Sequence, residues 1–217
     1  MHKSRWCLVL GLLAACAGSS MRTPADVAAG SDALRASDRE RWGVRKGRDS
    51  FQLGAYRVQD VERDPVTQSG YSVFGFGNRK LSVDYRYTFV DGARTQSGQC
   101  RQEQDRASTR YKGKVSCHCE PASDAITVDI GRDAKPGALE LGGQHYVVRP
   151  LHERESGRTT DEPLGYRIDG EAPLGAVELE GGMWLRRGLS DPERSTLSCV
   201  LAGLMLVRPL SYERPAR

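Results

Sequence analysis

The sequence lacks an apolar segment long enough to cross a bilayer as a helix. The first apolar run extends only from Trp6 to Ala17, and the last from about Leu197 to Val207. A membrane-spanning helix needs about 20 predominantly apolar residues in succession. We therefore do not expect an uncleaved helical anchor, and both apolar runs need another explanation.

A strong excess of charge of one sign is also missing. The chain contains 32 Lys and Arg against 28 Asp and Glu, and the two signs are interspersed along it. Proteins that bind nucleic acid concentrate basic residues on one face. The composition therefore gives no reason to expect a nucleic-acid partner, although scattered arginines could form a local patch for lipid phosphates.

The motifs of common catalytic and metal sites are absent as well. No G-x-S-x-G segment marks a nucleophilic serine, and neither H-E-x-x-H nor cysteine pairs at zinc-finger spacing occur. The adjacent carboxylates Asp161 and Glu162 lie in a polar segment, whereas acid–base catalysis needs a carboxyl group held in a dry pocket. We predict that the protein is not an enzyme and uses neither cofactor nor metal.

Residues 1–15 have the pattern of a secretory signal peptide. Lys3 and Arg5 precede the first apolar run, which ends in the four residues Leu13-Ala14-Ala15-Cys16. These four residues resemble the lipobox of bacterial lipoproteins. The resemblance implies cleavage before Cys16 and acylation of that cysteine, which would attach the protein to a membrane. The rival interpretation is cleavage by an ordinary signal peptidase, which would leave Cys16 as a plain thiol.

The residue after Cys16 bears on location. In bacterial lipoproteins an Asp at that position often causes retention at the inner membrane, and Ala17 stands here instead. The resemblance therefore implies a lipid-anchored protein of the cell envelope, at the outer membrane. It does not indicate which face of that membrane.

Residues 16–48 are predicted to form the lipidated cysteine and a flexible tether. Ala, Ser, Gly, Asp and Arg dominate this stretch, and such a composition buries too little apolar surface to offset the entropy of ordering. A short helix from about Pro24 to Trp42 is the one ordered element that we consider within it. A tether of this length would let the folded domain stand away from the bilayer.

Residues 49–217 are predicted to form one β-rich domain. Apolar and polar residues alternate most regularly from Leu81 to Phe89, and Gly and Pro separate such segments at intervals of about ten residues. The segment Phe51 to Val61 changes phase once, which we interpret as a strand with a bulge. Tyr71 to Phe76 is predicted to be one arm of a hairpin, and Asp91-Gly92 a turn. Helices do not alternate with strands, so the pattern predicts an antiparallel barrel or closed sandwich.

One helix is predicted at the end of this domain, over about residues 191–208. Ser190 and Glu193 have the spacing of a capping box, Pro192 suits the first turn, and Pro209 prevents continuation. The helix has no polar face, and a helix that is apolar all round is buried on every side. We therefore predict a mainly β barrel closed around an apolar C-terminal helix.

This order of meandering strands and a final apolar helix, over residues 50–208, resembles the tubby-like and LURP-one-related barrels. That group includes phosphoinositide binders and scramblase relatives, so the resemblance implies a membrane lipid as a partner. No binding motif of the group is matched here. No residue of this chain therefore inherits a lipid-binding role.

Four cysteines remain in the predicted β domain: Cys100, Cys117, Cys119 and Cys199. An even number in an oxidising compartment predicts two disulfides. Residues two apart on a strand lie at the upper limit of the disulfide range, which disfavours a bond between Cys117 and Cys119. Either Cys100 pairs with Cys117 and Cys199 with Cys119, or the partners are exchanged.

Two groups of residues offer side chains that could bind a metal ion. In Cys117-His118-Cys119 the side chains of a strand alternate, so the imidazole points away from both sulfurs. His145, His152 and Glu153 are spaced too irregularly for one face of a strand or helix. We expect surface or structural roles for all of them.

Together these features predict a non-catalytic envelope lipoprotein that presents its barrel to an envelope protein partner. The alternative is a lipoprotein that binds lipid or another apolar ligand, and a hydrolase is a third possibility. A large exposed apolar patch would favour the first. A pocket beside the helix would favour the second, and a buried carboxyl or histidine pair the third.

Overall fold

The computed structural model describes residues 20–37, 50–70, 79–92, 94–105, 112–122, 124–208 and 210. Within these ranges the chain forms thirteen strands and two helices. The strands are β1 (Ser31–Ser37), β2 (Phe51–Leu53), β3 (Tyr56–Arg63), β4 (Thr67–Gly70), β5 (Arg79–Asp91), β6 (Arg94–Asp105), β7 (Lys112–Glu120), β8 (Ala125–Gly131), β9 (Gly137–Leu141), β10 (Gln144–Leu151), β11 (Gly165–Asp169), β12 (Pro173–Glu178) and β13 (Gly182–Arg186). The helices are α1 (Ala25–Gly30) and α2 (Asp191–Met205).

Twelve of these strands form a closed antiparallel barrel, which confirms the predicted fold class. The wall follows the order β3, β2, β1, β13, β12, β11, β10, β9, β8, β7, β6 and β5. The ring closes because β5 pairs in turn with β3. β4 lies outside the ring and pairs with the first residues of β5, from Arg79 to Ser82.

Strand β1 corrects the prediction of a tether over residues 16–48. Ser31–Ser37 pairs with β13 on one side and, through Ala36 and Ser37, with β2 on the other. α1 covers six residues and does not extend from Pro24 to Trp42. At β1 the prediction failed because the backbone hydrogen bonds of a wall strand, not the burial of large side chains, hold Ser31–Ser37. Residues 1–19 and 38–49 lie outside the described ranges.

The phase change between Phe51 and Val61 is a hairpin turn and not a bulge in one strand. Leu53 lies opposite Tyr56, and Gly54 adopts a left-handed φ of 61° in the turn between them. A bulge does occur further along β3, where the register shifts between Gln59 and Glu62. The interpretation was therefore wrong about the position of the bulge.

The strand predicted from Leu81 to Phe89 and the turn predicted at Asp91-Gly92 agree with the structure. The alternation from Leu81 to Phe89 lies within β5, the longest strand described, and its inward residues are buried. Asp91 and Arg94 are opposite each other across the turn that contains Gly92. The predicted hairpin arm Tyr71 to Phe76 lies outside the described residues.

Helix α2 runs through the barrel, as predicted. The backbone N–H of Ser190 donates to the Glu193 carboxylate at 3.0 Å, which caps the first turn. Every residue from Ser195 to Met205 is buried, and the helix contacts strands on opposite sides of the ring. It ends at Met205, three residues before the predicted end, where the N–H of Leu206 turns back to the carbonyl of Gly203. In the part of the chain that is described, neither helix is long and apolar enough to cross a membrane.

Candidate functional site

The barrel lumen, where a ligand would bind in an open barrel, is occupied by α2. Leu201, Leu204 and Met205 are completely buried in the main apolar core, together with inward residues of the wall. Protein interiors of this kind are close-packed and leave little free volume. No observation on the lumen therefore favours an apolar ligand inside the barrel.

Two tyrosines of β5 join the wall to the helix backbone. Tyr85 donates its hydroxyl hydrogen to the carbonyl of Gly203 at 3.0 Å, and Tyr87 donates to the carbonyl of Cys199 at 2.7 Å. Burial, with a smaller contribution from neighbouring Tyr85, raises the pKa of Tyr87 well above its ordinary range. A phenol that stays protonated and hydrogen-bonded to a helix carbonyl has a structural role. The alternation in the sequence predicted that these two side chains face inward, but it did not predict their hydrogen bonds.

Both disulfides lie beside this contact and match one of the two predicted pairings. Cys100 is bonded to Cys117 between the adjacent strands β6 and β7, and Cys119 is bonded to Cys199 of α2. The second bond links the wall covalently to the helix inside it. Because all four sulfurs are in disulfides, none is a thiolate ligand or nucleophile.

Gly203 allows the helix to approach the disulfide wall. A Cβ atom at this position would lie 2.6 Å from Sγ of Cys100 and 2.7 Å from the hydroxyl oxygen of Tyr87. Such separations are too short for any side chain, so a glycine is required at this position of the helix. Its presence within an apolar helix was the only signal in the sequence, and we did not identify its role.

Polar side chains hold the C-terminal end of α2 and the residues that follow it. Gln102 donates to the carbonyl of Arg208 at 2.6 Å, and Gln104 accepts from the N–H of Leu210 at 2.9 Å. Arg63 donates to the carbonyl of Leu206 and lies over the ring of Tyr85. A cation near a helix C-terminus is favourable because it offsets the negative end of the helix dipole.

The Cys117-His118-Cys119 segment has the alternation predicted for a strand. Cys117 and Cys119 point into the barrel and are fully buried, whereas His118 is exposed on the outer face of β7. The three side chains therefore do not meet at one point. Within the described ranges, no group of three or more His, Cys, Asp or Glu side chains is placed to bind a metal ion.

The other predicted candidates are separated in the structure. His145 is exposed on β10, whereas His152 contacts the carbonyl of Thr160 through Nδ1 at 3.0 Å. Glu153 is paired with Arg22 of the N-terminal segment. Of the two adjacent carboxylates, Asp161 is hydrogen-bonded to Arg132 at the surface and Glu162 is exposed. None of these contacts assembles an acid–base pair.

A shallow depression of about 300 Å³ lies on the outer wall of β5, β6 and β7. His118 and Ser116 line one side of it, and Arg101 lies between them and Asp84. Arg101 is ion-paired with Asp84 at 3.4 Å, and both side chains are more than half exposed. Exposed pairs of this kind are weak and solvated, so this depression has the character of an ordinary polar barrel surface.

The outer wall on the opposite side is covered by an N-terminal strap, which we define as residues 20–30. Met21 and Val27 of the strap pack against Ala176 and Trp184 of β12 and β13, in a second apolar cluster outside the barrel. Met21 and Val27 have no exposed surface. The strap is therefore a packed part of the domain.

A buried carboxylate, Glu178 at the end of β12, holds the start of the strap. It accepts from the backbone N–H of Met21 at 2.6 Å and from the guanidinium of Arg35 at 2.7 Å. Only 4% of Glu178 is exposed, and a buried charge of this kind needs such partners. Both of its oxygens are used in holding the strap and β1, so this carboxylate is not available as a catalytic acid or base.

An ion pair holds the middle of the strap. Arg167 of β11 donates to both carboxylate oxygens of Asp26, at 3.0 and 2.7 Å. The hydrogen bond from Arg167 lowers the pKa of the Asp26 carboxyl. Partial burial opposes the charge of Arg167, but hydrogen bonds to Asp169 and Asp26 raise its pKa overall. The pair is therefore charged at neutral pH.

Sequence reasoning did not predict that the strap packs on the outer face of β12 and β13, although one signal for this was present. β12 and β13 read PLGAVE and GMWLR, and they lack the alternation that marks a wall with one solvated face. Cys16, the predicted lipidation site, lies outside the described residues, five positions before Met21. Among the described residues, Val147 alone is a large hydrophobic side chain with substantial exposure, at 42%, so the described surface has no large apolar patch of the kind that would favour a protein partner.

Comparison with known proteins gives no relative. No protein-family model, curated protein or solved structure matches the chain.

Proposed function

We propose that this protein is a non-catalytic lipoprotein of the cell envelope, acylated at Cys16, which presents a filled β-barrel to a protein partner. The observation that carries the proposal is the N-terminal order of charge, apolar run and Leu13-Ala14-Ala15-Cys16. By resemblance to bacterial lipoproteins, this order supports an anchor at Cys16, and Ala17 in place of an Asp after the cysteine supports a location at the outer membrane.

The pairing of the four cysteines of the β domain supports an extracytoplasmic location. Two disulfides, Cys100–Cys117 and Cys119–Cys199, are typical of proteins that fold in an oxidising compartment. A secretory signal would deliver the chain to such a compartment. The disulfides and the signal are thus independent features that agree.

The occupied lumen supports the non-catalytic part of the proposal. The buried polar side chains of Tyr85, Tyr87 and Glu178 are each hydrogen-bonded to another part of the fold. Their contacts hold the helix and the strap, so the outer surface is where a partner would bind. The alternative is a lipid or apolar ligand inside the barrel. The lumen does not support it, because α2 already occupies that space.

A cysteine substitution tests the proposal. We expect Cys16→Ala to release the protein from membranes and to abolish the N-terminal acyl mass, since the acylated sulfur is removed. Cys7→Ala is the matched control, because this cysteine lies in the predicted signal and should leave anchoring unchanged. Membrane fractionation and mass spectrometry of the mature N-terminus are the measurements. Equal membrane retention of both variants, without acyl mass in either, would refute the proposal.

A further inference from the structure

The strap begins very close in sequence to the predicted lipid. Met21 is fully buried against the barrel wall, and Cys16 is five residues before it. Five residues span at most about 18 Å even when fully extended. A tether of residues 16–48 would instead have reached roughly 110 Å. The short distance therefore leaves the domain little freedom to stand away from a bilayer.

The start of the strap is fixed at a particular place on the barrel. The N–H of Arg22 donates to the carbonyl of Glu153 at 2.8 Å, and the N–H of Glu155 donates to the carbonyl of Ser20 at 3.1 Å. These two contacts join the strap to the loop of residues 152–158. The bond from the N–H of Met21 to Glu178 joins the strap to the end of β12. The start of the strap is the described part of the chain nearest in sequence to Cys16. The loop is hydrogen-bonded to it through Ser20 and Arg22.

The charges at this place suit the surface of a phospholipid bilayer. Arg22, Arg154 and Arg158 contribute three guanidinium groups around the loop, and Glu153 and Glu155 contribute two carboxylates, so one positive charge is in excess. Arg22 is ion-paired with Glu153. Arg22 and Arg158 are exposed to solvent. Guanidinium groups bind phosphate oxygens well, and basic residues next to an anchor are attracted to anionic lipids.

We propose that the barrel lies on the membrane surface with the strap and the loop of residues 152–158 facing the phospholipid headgroups. This orientation rests on the proposed acylation of Cys16. β6 is diametrically opposite β12 in the ring of twelve strands, so the outer wall around β6 faces away from the membrane. That wall is then the surface left accessible to a protein partner.

Two matched variants of the full-length lipidated protein test the orientation. Ser156→Cys places a label in the loop, and Ser97→Cys places one on the outer face of β6; both serines are exposed. Each variant is labelled with a fluorophore and reconstituted in vesicles of phosphatidylethanolamine and phosphatidylglycerol that contain a headgroup-attached quencher. We expect quenching at position 156 to be several-fold stronger than at position 97.

The possible failures are distinguishable. Equal quenching at the two positions, in a protein with acyl mass that sediments with the vesicles, would overturn the orientation and leave the proposed function intact. Absence of acyl mass and of vesicle binding would overturn both.

A spacer tests the length argument. A Gly/Ser insert of about 20 residues after Cys16 adds roughly 25 Å of average reach, and it should abolish the difference between the two labels. A difference that persists with the insert would overturn the argument from chain length.

Discussion

The walls on the two sides of the barrel differ in how many of their faces are covered. In β5 the inward residues Leu81, Val83, Tyr85, Tyr87 and Phe89 are buried, and the residues between them face solvent. In β12 and β13 nearly every residue is buried, because α2 covers the inner face and the strap covers the outer face. A wall with one solvated face alternates in sequence, whereas loss of alternation marks a wall that is covered twice.

The two covers also differ in what holds them. α2 is joined to the β5–β7 wall by a disulfide and by tyrosine hydrogen bonds inside a closed core. The strap is held by a small apolar cluster, one buried carboxylate and surface ion pairs. We therefore expect the inner cover to unfold only with the whole barrel, and the outer cover to open locally at lower cost.

The largest effect is expected from a charge in the inner cover. Leu201→Asp places an unpaired carboxylate among fully buried side chains, at a cost on the order of several kcal/mol, so we expect no folded protein. Ser116→Asp, on the exposed outer face of β7, is the control and should fold. Circular dichroism and resistance to protease are the measurements. A soluble, protease-resistant Leu201→Asp protein would show that α2 is not central.

The two disulfides should differ in their contribution to stability. Cys119–Cys199 closes a separation of 80 residues, and Cys100–Cys117 one of 17. In the chain-entropy model they contribute about 4.5 and about 3 kcal/mol respectively to the free energy of unfolding. Two variants test this, one with both Cys119 and Cys199 replaced by Ala and one with both Cys100 and Cys117 replaced by Ala. Urea denaturation measures the free energy of unfolding of each. If removal of Cys100–Cys117 lowered the free energy of unfolding more, the disulfide between the wall and the helix would be the smaller contributor to stability.

A smaller and local effect is expected in the outer cover. Glu178→Ala removes the acceptor of the Met21 N–H and the partner of Arg35, at a cost of roughly 1–3 kcal/mol. We expect faster hydrogen exchange at Met21 and trypsin cleavage after Arg22, with unchanged exchange in β7. Glu140→Ala, on the exposed face of β9, is the matched control. Simultaneous loss of protection in β7 would contradict the separation of the two covers.

The smallest effect concerns Tyr87. Tyr87→Phe removes its hydrogen bond to the carbonyl of Cys199, and about 1 kcal/mol of stability should be lost at neutral pH. Because burial raises the pKa of Tyr87, the folded state holds its proton more tightly than the unfolded state does. The stability contributed by this proton is complete below pH 10 and declines as the pH rises above the ordinary tyrosine pKa of about 10.

Urea denaturation between pH 8 and 11 checks the sign of this effect. The native protein should lose more stability with rising pH than Tyr87→Phe does, and the control Tyr146→Phe, which removes a hydroxyl bonded to exposed Gln144, should behave like the native protein. Equal pH dependence in all three proteins would show that the Tyr87 phenol does not titrate differently in the two states.

Regions in which a local sequence pattern agrees with the tertiary environment were predicted correctly, and regions held by contacts distant in the sequence were not. The alternation in β5 and the capping box at Ser190 were sufficient to predict strand, helix and central burial, because the pattern and the tertiary environment agree there. β1 was missed because its small and polar residues carry no apolar pattern, and its place in the wall depends on pairing with β13 and β2. The buried position of Met21 was not predicted because Glu178, which accepts the hydrogen bond from its N–H, is 157 residues away in the chain.

The sequence by itself determined the β class, the all-round apolar helix and the even set of cysteines in the domain. These features are local, since each depends on residue type and short-range spacing. The tertiary structure decided the disulfide pairing, the closure of the ring through β1 and the covering of β12 and β13 by the strap. Those outcomes depend on contacts between residues far apart in the chain, which the alternation of side chains along a strand does not encode.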